Sequence, residues 1–239
     1  MADASQTGVP VARVLRDGVE IGAPVARTLR DGVEFTERRG PFLIVGLGNP
    51  GLEYIWTPHN AGFLAIDRIA EQERVTVSNR LCRATTARLR IAGREVVLAK
   101  PETYMNLSGA SVAALVREFE ADPAQDLLVI YDELDLPLGS FKIKERGSPA
   151  GHNGARSITG ALGTEEWLRL RIGVGANLPP EAIAAGASAR RGGRDYLLTP
   201  MRKADLTVLD EVLDKVATAT RRILEQGPTA AMNEFNRRD

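Results

Sequence analysis

The sequence has a single cysteine, Cys82, and only two histidines, His59 and His152, in 239 residues. An internal disulfide is therefore impossible, and a metal cluster built from cysteines and histidines has too few ligands. No apolar run approaches the ~20 residues of a transmembrane helix, and the first residues lack the apolar core of a secretory signal. We therefore expect a cytoplasmic protein that does not associate with membranes.

An excess of either charge is also lacking, since 31 Lys and Arg balance 31 Asp and Glu. A net charge of zero disfavours a protein that binds nucleic acid through overall charge alone. Basic residues nevertheless cluster locally, at 80–94, 142–146 and 190–194. Each cluster is consistent either with an ordinary solvated surface or with a binding site, and the sequence alone leaves both open.

The amino-terminal segment carries an internal duplication, because residues 10–20 recur at 24–34 with one difference. Two copies are too few for a self-supporting repeat array, which needs about three. We predict that residues 1–40 form a duplicated extension that is disordered or loosely packed. The folded catalytic domain is predicted to span residues 41–239.

Beyond residue 40, short apolar runs alternate with stretches of helical periodicity. Strands are predicted near 42–47, 81–91, 95–99, 127–131, 140–145 and 170–174. Helices are predicted near 61–72, 108–120, 153–163 and 204–226, with Ser108 as the N-cap of the second. The stretch 176–194 is predicted to be a mobile loop. This alternation predicts a single α/β domain with three layers, α/β/α, around a twisted mixed, mostly parallel sheet.

The first predicted strand ends in a glycine-rich turn, Gly46-Leu47-Gly48-Asn49-Pro50-Gly51, which matches the G-x-G-x-x-G pattern of dinucleotide-binding proteins. That pattern requires a helix that opens directly at the glycines, so that its N-terminus meets the pyrophosphate. Here the predicted helix is delayed by about ten residues, past Pro58. The turn therefore does not favour nucleotide binding.

His59 is predicted to lie in a loop at the carboxyl edge of the sheet, where open α/β sheets bind ligands. Asp132 follows the strand at 127–131 and would reach the same edge, so it could orient the imidazole and stabilise its protonated form. No serine or cysteine stands in a nucleophile turn, so water is the expected nucleophile. Asn106 and Asn153 each precede or begin a helix, and they could be helix caps or donors to an oxyanion.

Six motifs occur in sequence along the chain: LIVGLGNPG, Y-x-x-T-x-H-N-x-G from Tyr54, K-P-x-T-Y-M-N-x-S-G from Lys100, Y-D-E-L-D-L-P from Tyr131, G-H-N-G, and L-R-I-G-V-G from Leu170. Together they resemble bacterial-type peptidyl-tRNA hydrolases, over about residues 41–239. The resemblance implies one α/β domain, usually monomeric, that hydrolyses the ester between a peptide and the 3′-terminal ribose of tRNA. It implies peptidyl-tRNA as the partner, bound through its acceptor stem and 3′ end.

The same resemblance implies roles for individual residues. His59 would be the general base and Asp132 its carboxylate partner, with His152 in support. The residues implied to contact the substrate are Asn49, Tyr54, Met105, Asn106 and Asn153. The residues implied to hold the tRNA 5′-phosphate are Lys142 and Arg171. We expect no metal and no cofactor.

The sequence departs from the family pattern at two places. Pro58 stands where the family usually has a basic residue before the histidine. Ser148-Pro149-Ala150 replaces a glycine-rich run before G-H-N-G. Proline and alanine restrict a backbone that glycine leaves free, so the mobility of this loop and its contacts with the acceptor stem are expected to change.

Two other functions remain as alternatives. One is a non-catalytic RNA-binding relative of the family, and the complete set of His59, Asp132 and the asparagines argues against it. The other is a metalloprotease of the hydrogenase-maturation type, which has a similar G-x-G-N start. The lack of acidic residues directly after Gly51 argues against that function.

Overall fold

A computed structural model describes residues 40–175 and 193–236 of the chain. Seven strands form one sheet in the order β2-β3-β4-β1-β5-β7-β6. The strands are β1 (Phe42–Gly46), β2 (Asn79–Leu81), β3 (Ala84–Ile91), β4 (Arg94–Pro101), β5 (Leu127–Pro137), β6 (Phe141–Lys144) and β7 (Leu168–Gly175). The four central strands, β4, β1, β5 and β7, run parallel, and β2, β3 and β6 pair antiparallel at the two edges. The predicted mixed sheet is confirmed, and its parallel strands lie at the centre.

Seven helices accompany the sheet in the part of the chain that the structure describes. They are α1 (Ala61–Gln72), α2 (Ser108–Glu118), α3 (Pro123–Asp126), α4 (Asn153–Leu162), α5 (Gly193–Leu198), α6 (Lys203–Gln226) and α7 (Pro228–Phe235). The prediction that Ser108 caps α2 is wrong. Leu107 occupies the cap position, and the Ser108 hydroxyl instead donates to the Met105 carbonyl at 2.9 Å.

Helices cover both faces of the sheet, which explains why the sequence of β1 is an unbroken apolar run. All five residues of β1 are buried. Because neighbouring side chains of a strand point to opposite faces, Phe42 and Ile44 pack with α1, α6 and α7, whereas Leu43 and Val45 pack with α2 and α4. Strands buried on both faces lose the alternation of polar and apolar residues. The predicted three-layer α/β/α architecture is thus observed.

The glycine-rich turn after β1 serves close packing. A Cβ atom at Gly46 would lie 2.1 Å from the Gly62 carbonyl oxygen, and one at Gly62 would lie 2.3 Å from the Ile130 carbonyl oxygen. These glycines let α1 approach the sheet closely. Two short 3-10 turns, Leu52–Tyr54 and Pro58–Asn60, separate the glycines from α1. The helix therefore does not open at the glycines, as a dinucleotide site would require.

Several predictions from sequence fall outside the described residues: the duplication at 10–34, most of the stretch 176–194, and Arg190 and Arg191. Residues 193 and 194 begin α5. Among the helices of the described residues, none combines the length and apolarity of a membrane span.

We expect Gly46→Ala to lower the free energy of unfolding by about 3 kcal/mol, because its Cβ would meet backbone rather than a movable side chain. Gly160→Ala is the matched control. Gly160 lies in α4 with open space at its Cβ position, so alanine should raise stability by about 0.5–1 kcal/mol. Urea unfolding measures both changes. A Gly46→Ala protein as stable as the wild type would show that α1 does not pack as described.

Candidate active site

A cavity of about 780 Å³ opens where the chain leaves the carboxyl ends of β1 and β4. It brings together eight of the residues singled out from the sequence: Asn49, Tyr54, His59, Met105, Asn106, Asp132, His152 and Asn153. Lys142 and Arg171 do not line it. The lining also includes residues that sequence reasoning did not single out, among them Tyr104, Leu134, Leu197 and Leu198. Leu197 and Leu198 come from α5, and no local motif connects that helix to the site.

One buried carboxylate joins the two histidines. The Asp132 Oδ1 atom lies 2.8 Å from Nδ1 of His59 and 2.9 Å from Nε2 of His152. Asp132 was predicted to follow the end of its strand, and this placement is wrong. β5 continues to Pro137 because it keeps pairing with β7, whereas its pairing with β1 ends at Ile130. β5 thus projects beyond β1, and Asp132 reaches the space where β1 has ended.

The hydrogen bonds of His152 assign its tautomer. The backbone N–H of Ala155 donates to Nδ1 at 3.1 Å, so that nitrogen carries the lone pair and Nε2 carries the proton donated to Asp132. His152 is thereby the N-cap of α4. A proton on Nδ1 would break the cap and place positive charge at a helix N-terminus, where the helix dipole disfavours it. His152 is therefore suited to donate a hydrogen bond and unsuited to act as a base.

His59 differs from His152 in the nitrogen that it offers. Its Nδ1 donates to Asp132, so Nε2 is the proton-accepting nitrogen of this tautomer. The sequence had indicated a carboxylate partner for His59 only, whereas the structure gives both histidines the same partner. The Nδ1 atom of His152 also accepts a hydrogen bond from the N-terminus of α4, which no sequence motif reveals.

Asp132 is held in its charged form. Burial alone would raise the pKa of its carboxyl, but the attraction and hydrogen bonds of the two imidazoles outweigh burial and hold the pKa below its ordinary value. A carboxylate that stays ionised near neutral pH can stabilise an imidazolium whenever His59 takes up a proton.

The three side chains could also be considered as metal ligands, because their ligand atoms lie within 4.8 Å of one another. The tautomer of His152 argues against this role. A metal bound to Nε2 would require the remaining proton on Nδ1, where it would face the N–H of Ala155. Protein sites usually have the opposite arrangement, in which the second ring nitrogen donates to an acceptor.

An amide network fixes the loops around the histidines. Asn60 bonds the backbone of Asn49 twice: its Oδ1 accepts from the Asn49 N–H at 2.9 Å, and its Nδ2 donates to the Asn49 carbonyl at 3.0 Å. Asn49 in turn accepts the N–H of Met105 on Oδ1 at 2.8 Å. Oδ1 of Asn49 therefore helps to fix the loop that contains Met105. Its Nδ2 is the side-chain donor that it can offer to a ligand. Sequence reasoning gave Asn60 no role, although it stands beside His59 in a motif.

Asn106 and Asn153 were each expected to be a helix cap or an amide donor. Neither caps a helix, since the cap positions of α2 and α4 belong to Leu107 and His152. Both asparagines line the cavity and are exposed. Their amides are therefore placed where a bound carbonyl could be contacted.

The loop before His152 is a tight turn closed by the bond from the His152 N–H to the Pro149 carbonyl, at 2.9 Å. Its central residues, Ala150 and Gly151, have φ angles of 49° and 87°, as in a type I′ turn. Alanine in the left-handed region costs about 1 kcal/mol relative to glycine. The sequence departs from the glycine-rich family pattern at this turn. The turn therefore holds Ala150 in a strained backbone conformation.

A buried arginine, Arg169, holds the same loop through a hydrogen bond to its backbone. Arg169 is 1% exposed and lies 3.7 Å over the ring of Trp167. Its Nη1 donates to the Ser148 carbonyl and its Nη2 to the Glu165 carbonyl, both at 3.1 Å. Burial lowers the pKa of Arg169, and the two carbonyls supply acceptors for its charged head. Sequence reasoning gave this residue no role, because it precedes the strand predicted at 170–174 and an arginine side chain usually faces solvent.

The basic residues of β6 and β7 form a second feature, outside the cavity. Lys142 is the cross-strand partner of Arg171, and Lys144 is the partner of Arg169. The charge of Arg171 lowers the pKa of Lys144, with further lowering from burial and from Lys142. Neighbouring cations that lower the pKa of Lys144 mark a surface that an anion would stabilise.

The guanidinium group of Arg171 is less available to bind a phosphate than its motif suggested. Its Nη1 donates to the buried Glu133 at 2.7 Å, and its Nε is buried. Its ion pair with Glu133 joins β7 to β5, beside Asp132. Lys144 is the exposed member of this cluster, whereas Lys142 and Arg171 are both half-buried.

Comparison with known proteins gives consistent matches. The family model described as peptidyl-tRNA hydrolase matches residues 43–239. A peptidyl-tRNA hydrolase of Acidobacterium capsulatum is 60% identical over 198 residues, which cover 83% of this chain and 96% of the relative. One of Koribacter versatilis is 56% identical over 196 residues, covering 82% and 92%. The crystal structure of peptidyl-tRNA hydrolase from Acinetobacter baumannii superposes with a TM-score of 0.70 at 32% identity, covering 84% of this chain and 97% of that one.

The fold and the six motifs therefore agree with a match that spans nearly all of the chain beyond residue 42, and this chain belongs to the peptidyl-tRNA hydrolase family.

Proposed function

We propose that this protein hydrolyses the ester bond of peptidyl-tRNA, releasing the peptide and free tRNA for further translation. The observation that carries the proposal is the buried His59–Asp132 pair at the wall of a cavity lined by amides. Because translation supplies the substrate, we place the protein in the cytoplasm, acting as a monomer on the acceptor stem and 3′ end of the tRNA.

In the proposed mechanism, Nε2 of His59 takes a proton from water as the water oxygen attacks the ester carbonyl carbon. The carbonyl becomes an oxyanion, which the amide groups of Asn106 and Asn153 stabilise through N–H donors. The tetrahedral intermediate then collapses, the bond to the ribose oxygen breaks, and the imidazolium returns its proton to that oxygen. Water has been added across the ester, and His59 is regenerated.

Asp132 and His152 support this proton transfer without exchanging protons themselves. Asp132 keeps Nδ1 of His59 protonated and stabilises the imidazolium that forms at Nε2. His152 donates its Nε2–H to the same carboxylate oxygen, so Asp132 stays fixed while the charge on His59 changes. Tyr131, whose ring centroid lies 4.6 Å from that of His152, packs against the supporting imidazole.

Recognition of the tRNA would use the second feature, the cations of β6 and β7. We propose that Lys142 and Lys144 contact the 5′-phosphate at the end of the acceptor stem. Arg171 would assist through its Nη2 group while its pair with Glu133 keeps it in place. A local cluster of this kind reconciles a net charge of zero with a polyanionic substrate.

His59→Ala should lower the turnover of peptidyl-tRNA by about two to four orders of magnitude, the usual range for a positioned acid–base group. His152→Asn is the comparison, because asparagine can still cap α4 but loses the bond to Asp132. It should lower turnover by only about tenfold, the effect of one hydrogen bond to a charged group. Single-turnover ester cleavage measures both. A larger loss in His152→Asn than in His59→Ala would assign the base to His152 instead.

Activity should survive excess chelator, because the tautomer of His152 opposes metal binding at the one cluster of possible ligands found among the described residues. The measurement is the turnover of peptidyl-tRNA before and after dialysis against EDTA. Loss of activity that added Zn²⁺ or Mg²⁺ restores would contradict the proposed mechanism and would favour a metal-dependent hydrolase.

Lys142→Ala and Lys144→Ala should each raise KM for peptidyl-tRNA and flatten its dependence on salt, since each removes roughly one phosphate contact. The value of kcat should change little, because this contact is the same in the ground and transition states. A substrate that lacks the 5′-phosphate should show neither change. Lys215→Ala, an exposed lysine of α6, is the control for charge. Equal salt slopes for all four proteins would show that the β6 lysines do not contact phosphate.

A further inference from the structure

The side chain of Asn236, directly after α7, bonds both backbone groups of one residue in β6. Its Oδ1 accepts from the Ile143 N–H at 2.9 Å, and its Nδ2 donates to the Ile143 carbonyl at 2.8 Å. Asparagine carries an acceptor and a donor on one planar amide, just as a peptide unit does. Asn236 therefore takes the place of a neighbouring strand at this single position.

The position is significant because β6 is an edge strand. It pairs with β7 on one side only, and it is the last strand in the order of the sheet. Unpaired N–H and C=O groups of an edge strand either need other partners or leave the strand free to fray or to pair with other chains. Ile143 is the fully buried residue of this four-residue strand, and Asn236 satisfies its backbone groups, which face away from β7.

Two further contacts connect the same carboxyl-terminal helix to β6. The rings of Phe141 and Phe235 lie 5.8 Å apart between centroids. The hydroxyl of Thr229 donates to Glu145 at 3.2 Å. The helix thus holds β6 at its beginning, at its centre and just beyond its end.

The residues on either side of Ile143 are Lys142 and Lys144. Residues two apart in a strand point to the same face, so both lysines project from β6 on the side opposite to that of Ile143. Their separation and direction follow from the strand geometry that Asn236 maintains. Since Lys144 and its neighbouring cations repel one another, the strand must hold them together against that repulsion.

We infer that Asn236 is a positioning residue for tRNA binding: by pairing with Ile143 it holds the edge strand in the geometry that presents Lys142 and Lys144 to the 5′-phosphate. This inference rests on the proposed function, in which those lysines contact phosphate. It extends the binding machinery to the residue that follows α7, on the far side of β6 from β7. Preorganised cations bind an anion better than mobile ones, because less conformational freedom is lost on binding.

The test compares Asn236→Ala with Asn233→Ala, an exposed asparagine of the same helix. Asn236→Ala should raise KM for 5′-phosphorylated peptidyl-tRNA about three- to tenfold, the effect of losing one to two hydrogen bonds. Both kcat and the KM for a substrate without the 5′-phosphate should stay at wild-type values. Amide hydrogen exchange should become faster in β6 and remain unchanged in the central strands. Asn233→Ala should change none of these quantities.

Asn236→Ser is the milder variant, in case the alanine protein does not fold. Its hydroxyl cannot serve both backbone groups of Ile143, so the rise in KM should be smaller and of the same kind. Asn236→Ala should also have no further effect on KM in a protein that already carries Lys142→Ala and Lys144→Ala, because sites that act through one another are not additive.

The outcomes separate this inference from the proposed function. If the lysine variants show the 5′-phosphate effect and Asn236→Ala does not, the inference about Asn236 is overturned and the proposed function stands. An equal loss on both substrates, or a fall in kcat, would make Asn236 a merely structural residue and would also overturn it. If the lysine variants themselves show no phosphate effect, the tRNA contact proposed above is wrong and the role of Asn236 fails with it.

Discussion

The site depends on one buried carboxylate that two histidines share. Asp132 is 1% exposed, and a charge so far from water requires compensating hydrogen bonds. His59 supplies one from the turn before α1, and His152 supplies the other from the start of α4. Because these elements lie in different parts of the domain, the two hydrogen bonds to Oδ1 of Asp132 form only when the whole domain is assembled. The same oxygen atom, Oδ1 of Asp132, thus connects the geometry of the site to the assembly of the fold.

The two histidines differ in the hydrogen-bond partners that surround their rings. His152 has a helix N-terminus behind it, which assigns its tautomer and makes it a permanent donor. His59 instead faces the carboxylate with Nδ1, at 2.8 Å from Oδ1 of Asp132. Two residues of one type thus occupy different environments around the same carboxylate, with their ring centroids 5.1 Å apart. The same logic, in which environment sets the role of a titratable group, separates acid from base in many active sites.

Side-chain amides repeatedly take the place of backbone in this protein. Asn60 bonds the backbone of Asn49, Asn49 bonds that of Met105, and Asn236 bonds that of Ile143. The first two fix loops around the cavity, and the third fixes an edge strand. Loops and edges have few partners of their own, so an amide with both a donor and an acceptor is an efficient means of ordering them.

The sequence by itself determined the alternation of buried strands and helices and the cavity-lining residues carried by five of its six motifs. These features are local, because periodicity, turns and motif spacing depend on residues that are close together in the sequence. Only the tertiary structure decided that β5 extends past β1, that Arg171 is paired with Glu133, and that His152 shares the carboxylate of His59. It also decided the roles of Arg169 and Asn236. Each of these depends on a partner between about 20 and 90 positions away in the sequence, or on which strands end first, and pairings of that kind appear only when the sheet is assembled.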